Sequence, residues 1–91
     1  MQRENAETLA IRALAWLVGN DELLPLFLGS TGATAADLRT RADDPEFLGS
    51  VLEFLTMDDA WIAAFCEAER IDYALPLAAR VALGDVAPDW T

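Results

Sequence analysis

The chain has 91 residues, 54% of them hydrophobic, with a formal net charge of −10 and a pI near 4.1. That length supports one domain, and the apolar content excludes a disordered chain. A surface this acidic repels phosphate backbones and anionic lipid headgroups, which argues against nucleic-acid binding and membrane association.

Alanine and leucine dominate while β-branched residues are few, a balance that favours helix over sheet. Six short helices are predicted. The first runs from about Glu4 to Val18, with Gly19 as its C-cap. Asn20 caps the second, from about Asp21 to Leu28, and Gly29 and Gly32 form the turn after it. Pro25 falls early in that helix, where its missing N–H costs least. Thr34 opens the third helix, with Asp37 three residues on in a capping-box arrangement. Asp44 caps the fourth, with Pro45 at the first helical position and the helix running through EFLGSVLEFL. A break near Thr56 to Asp58 leads to the fifth, DAWIAAFCEAER, and Asp72 caps the sixth, YALPLAARVAL, which Gly84 ends. The tail from 85 to 91 is expected to be loosely held, with Trp90 as its bulkiest apolar residue.

Two segments align at an offset of 38 residues, WLVGNDELLPLF (Trp16 to Phe27) and FLTMDDAWIAAF (Phe54 to Phe65). Trp16 pairs with Phe54, Phe27 with Phe65, and the capping Asn20–Asp21 with Asp58–Asp59. This predicts two similar three-helix halves, 4–42 and 43–84, within one compact all-α bundle. Two copies are too few for a solenoid, which needs about three repeats or more.

The chain has no histidine. The commonest general base and metal ligand are therefore missing, as are the Ser-His and Cys-His nucleophile pairs. Cys66 is the single cysteine, so neither an internal disulfide nor a thiolate cluster forms. With no cation near it in sequence, it reads as a small buried hydrophobe. The carboxylates Asp43, Asp44 and Glu46, then Asp58 and Asp59, then Glu67, Glu69 and Asp72, do not match the EF-hand spacing. Most of them sit at helix starts, where a carboxylate accepts orphan backbone N–H bonds and complements the helix dipole. GSTGAT has no lysine after it and reads as an inter-helix turn. The arginines Arg39, Arg41, Arg70 and Arg80 would have to cluster to make a nucleic-acid patch against the overall charge.

The opening segment is charged and amphipathic, without a small-residue cleavage site after an apolar run. No stretch approaches about 18 uninterrupted apolar residues. A soluble, cytoplasmic protein is the expectation. The first and fourth helices carry apolar residues nearly all round, so either they pack centrally or part of that surface meets a second chain. Ile11, Val18 and Trp90 are the candidate interaction residues. Leu14, Leu17, Phe27, Leu38, Phe47, Val51, Leu52, Leu55, Ile62, Phe65 and Val81 are the expected core.

The elements AETLAIRALAWL, FLGSTGATAADLR, DPEFLGSVLEFLTMDD and AARVALG resemble the bacterial domain of unknown function family 3572. The most specific pieces are the G-x-x-x-x-D-L-R run from Gly32 to Arg39 and P-E-F-L-x-x-V-L-E-F-L from Pro45 to Leu55. The resemblance implies a short, self-contained bacterial protein and brings no catalytic residues with it. The functional expectation is a non-catalytic protein-interaction or regulatory module that binds a protein partner or itself, with no cofactor. The alternatives are a small-ligand carrier with an apolar pocket between helices and, further off, a carboxylate-dependent metal-binding protein.

Overall fold

A computed structural model describes residues 1–84 as six helices. These are α1 (Arg3–Val18), α2 (Leu23–Thr31), α3 (Ala35–Thr40), α4 (Pro45–Leu55), α5 (Asp59–Glu69) and α6 (Ala74–Gly84). The described residues contain no strand. No helix among them is long and apolar enough to cross a membrane. The predicted tail from 85 to 91, Trp90 included, lies outside the described residues.

Local chemistry sets the helix starts. Asp44 Oδ1 accepts from Glu46 N at 2.9 Å, Asp58 Oδ1 from Ala60 N at 2.8 Å, and Asp72 Oδ1 from Ala74 N at 2.8 Å. Thr34 and Asp37 complete a capping box, with Thr34 N donating to Asp37 Oδ2 at 2.9 Å and Asp37 N to Thr34 Oγ1 at 3.3 Å. Each such cap satisfies a backbone donor that the helix itself leaves without a partner. Asn20 Oδ1 accepts from both Glu22 N and Leu23 N at 3.0 Å, so it closes a turn ahead of α2 and the helix proper starts two residues later than expected. Pro25 then falls in the first turn, where its missing N–H breaks no bond.

The helix ends follow the sequence less closely. Gly32 takes the left-handed conformation at φ 74°, as a glycine C-cap does. Gly19 does not; its φ is −84°. The second left-handed cap is Arg70 at φ 56°, with Ile71 N donating to Cys66 O at 2.9 Å. That conformation is uncommon for a residue with a Cβ, and the ion pair of Arg12 with Glu69 sits next to it. Arg12 Nη2 donates to both the Glu69 carboxylate and its carbonyl at 3.1 Å, tying α1 to the end of α5.

The core is built on α1, α4 and α6, each of which packs on the other two, with α2 resting on α1 and α4. From α1 come Ala6, Leu9, Ala10, Ala13, Leu14 and Leu17. From α4 come Phe47, Leu48, Val51, Leu52, Phe54 and Leu55. The nearly all-round apolar cover of α4 is thus packed away, apart from a narrow outer strip. Phe27 is fully buried and meets both Phe47 and Phe54 edge-on, at 5.9 and 5.4 Å between ring centroids. Trp16 meets Phe65 edge-on at 5.7 Å. The pairs Trp16–Phe65 and Phe54–Phe27 are related by the 38-residue offset of the sequence. The offset also pairs α3 with α6, and these differ: α3 buries no residue, whereas α6 inserts Pro76, Ala79 and Leu83 between α1 and α4.

Eight of the expected core residues are buried: Leu14, Leu17, Phe27, Phe47, Val51, Leu52, Leu55 and Phe65. Leu38 and Ile62 are half-buried at its edge. Val81 is a correction, being 49% exposed. The stripe that α6 buries is 76, 79 and 83, and Val81 is about 200° round the helix from Ala79. Its side chain therefore faces away from the core. Leu52, by contrast, is fully buried between the central helices. Leu52→Ala is expected to cost about 2–5 kcal/mol in urea denaturation; a loss below about 0.5 kcal/mol would mean that this core is wrong.

Candidate functional site

The chemically capable side chains are scattered and structurally engaged. Asp58 and its neighbour Asp59 open α5, the first as N-cap and the second in the first turn. Asp44 and Asp72 cap in the same way. Among the described residues no three carboxylates or thiols converge to hold a metal ion. Cys66 is buried, and its thiol lies 3.7 Å from the Asp72 carbonyl. Burial pushes the Cys66 thiol above its ordinary range, and the negative charge of Asp72 adds to the effect. The Tyr73 hydroxyl donates to Glu67 Oε2 at 3.0 Å, and that bond raises its pKa as well.

Both groups hold their protons more tightly folded than unfolded. Their contribution to stability is complete below the unfolded pKa values and is lost as pH rises through the folded ones. Denaturation midpoints are expected to decline from about pH 8.5 upward, the ordinary range of a thiol. Cys66→Ala should remove the first part of that decline; an unchanged profile would show that the thiol is not held in this way.

The distinctive surface is on the other side of α6. The helix buries Pro76, Ala79 and Leu83 and turns two large aliphatic residues outward. Pro76 and Ala79 are buried, whereas Leu77 is 53% and Val81 49% exposed. These two side chains form one wall of a groove of about 390 Å³ between α6 and α4. The opposite side is the outer strip of α4: Glu46, Gly49, Ser50 and Glu53. Ser50 folds its hydroxyl back onto the Phe47 carbonyl at 2.6 Å. Gly49 has no side chain, and a Cβ built there would meet nothing within 4 Å. The floor is therefore low. On its far flank α6 borders a second groove, of about 550 Å³, with Leu9 and Arg12 of α1 facing Leu75 and Ala78.

A glycine inside a helix costs about 0.5–1 kcal/mol relative to alanine. No packing within the described chain requires one at Gly49. Gly49→Ala is accordingly expected to stabilise the fold by about that amount, seen as a higher melting temperature. A destabilised variant would reveal a close approach that the structure does not contain.

Ile11 and Val18, both 47% exposed, lie two turns apart on the outer face of α1 with exposed Ala15 between them. The structure does not bring them to either groove that flanks α6. The groove residues Gly49, Leu77 and Val81 were not legible as a site. Within YALPLAARVAL the apolar positions are too many for periodicity to separate the buried stripe from the exposed one.

The fold and surface define a small, acidic, all-α bundle with apolar grooves on both flanks of its last helix. Residues 3–86 match the family described as Protein of unknown function (DUF3572), and the chain belongs to that family. Neither the curated proteins nor the solved structures contain a match.

Proposed function

We propose that this chain is a non-catalytic protein-interaction module whose docking surface is the outer face of α6 and the groove it shares with α4. The observation that carries this reading is the pair of large aliphatic side chains, Leu77 and Val81, that α6 leaves half in water beside the groove. Leu77 and Val81 stay 53% and 49% exposed, so each forgoes roughly half of the burial that would be worth about 1.5–3 kcal/mol if complete. A contiguous exposed apolar surface beside a groove is the usual form of a helix-docking site. The grooves are open clefts between helix ridges. They suit a docked helix better than an enclosed small ligand, which a pocket surrounds on most sides. A cytoplasmic setting fits the single, unpaired cysteine.

The test is a photo-crosslinking amino acid placed at position 81 of the full chain and irradiated in an extract of the source cells. A discrete crosslinked product, lost when Leu77 is changed to Asp, is the expected result. An equivalent probe at 50, across the groove, should capture the same product. Absence of any specific product from both positions would sink the interaction reading.

A further inference from the structure

We infer that the α4/α6 groove takes a basic amphipathic helix of a partner protein, one with two Lys or Arg residues seven apart and aliphatic residues between them. This rests on the interaction reading and adds the chemistry of the occupant. Glu46 and Glu53 are seven residues apart on α4, which places them about 10.5 Å apart along the helix axis. Both line the groove, with Gly49 and Ser50 between them. Neither carboxylate forms an ion pair among the described residues, whose ion pairs join Arg3 to Glu7, Arg12 to Glu69 and Arg41 to Asp44. Arg80 also lines the groove and keeps its positive charge, its guanidinium donating to the neutral Thr56 Oγ1 at 3.5 Å, so the groove's charged side chains sum to one net negative charge. The groove thus has two carboxylates without an ion pair against one guanidinium, an apolar wall and a floor lowered by a glycine. A helix lying along the 11 residues of α4, about 16 Å, meets all three at once.

The chain cannot supply this occupant itself. It has no lysine, and its six arginines stand at positions 3, 12, 39, 41, 70 and 80, no two of them seven apart. The residues from 85 to 91 contain no cation at all. A second copy would bring another net charge of −10 to an acid-lined groove. The complementary charge is therefore assigned to a partner protein.

The experiment uses the full chain and three synthetic 18-residue peptides: a Leu/Ala helix with Lys at i and i+7, a scramble of the same composition, and a version with Glu for Lys. Binding is read by fluorescence anisotropy and the site by amide NMR shifts. The designed peptide is expected to bind at least about tenfold more tightly than the scramble, with shifts at Gly49, Leu77 and Val81, and the Glu version not to bind. Gly49→Leu, which fills open space, should keep the helical circular dichroism and reduce binding at least about tenfold. The double variant Glu46→Gln with Glu53→Gln should remove most of the salt dependence.

Equal binding of designed and scrambled peptides overturns the proposal, as does binding indifferent to Gly49→Leu. Binding that appears only after residues 85–91 are deleted overturns it in favour of the chain's own terminus. Peptides failing to bind while the protein dimerises, with Val81→Asp abolishing the dimer, overturns it in favour of a second copy. A position-81 crosslink to a segment without basic residues overturns the basic-helix assignment and leaves the interaction reading standing, whereas no crosslink defeats both.

Discussion

The packing of α1 against α4 is the contact on which the rest of the molecule depends. At 11 residues α4 is too short to be stable alone in water, and the 16-residue α1 is only just past that limit. Each therefore needs the other's apolar face, and together they make the surface onto which α2 and α6 pack. Leu17, Val51, Leu52 and Leu55 are all fully buried. Phe27 reaches in from α2 to Phe47 and Phe54, and Phe65 reaches in from α5 to Trp16. Three of the four aromatic contacts among the described residues thus cross between residues 4–42 and 43–84, while Phe54 and Trp61 stack within the second segment.

The 38-residue offset carries through only part of the structure. The same offset relates the two aromatic contacts, and it relates Asn20 to Asp58, each of which accepts a backbone N–H two residues on. The third helices diverge. Six-residue α3 stays at the surface, while 11-residue α6 is drawn into the space between α1 and α4. Ala79 is the small residue that permits the insertion, since a larger side chain there would hold α6 off the core. Leu77 and Val81 of α6 are left to face outward. The groove is in this sense a by-product of how the second half completes the core that both halves share.

The fold was legible because its signals are local. Asp44–Pro45, Asp58, Asp72 and the Thr34–Asp37 pair each announce a helix start through one side chain and the backbone beside it. Helix ends were less legible. Gly19 has the residue type of a left-handed cap without the conformation, and Arg70 has the conformation without the residue type. The surface was the least legible part. Whether Val81 faces in or out depends on how α6 is rotated against two helices distant in sequence, and an Ala/Leu-rich segment is apolar in most rotations. The cost of Gly49 was visible in the sequence, but the empty space above it was not. Ile11 and Val18 were legible as surplus apolar residues, and they are exposed, though away from the groove.

The surface position of α3 has a consequence for how the chain can be cut and rejoined. With no buried residue of its own, α3 and the turns around it act as a tether between α2 and α4. Lengthening a tether costs little, since the entropy of closing a loop grows only with the logarithm of its length. The aromatic contacts that hold the halves together do not pass through it. The segment between Gly32 and Asp44 is thus the natural place to open the chain or to graft a second domain.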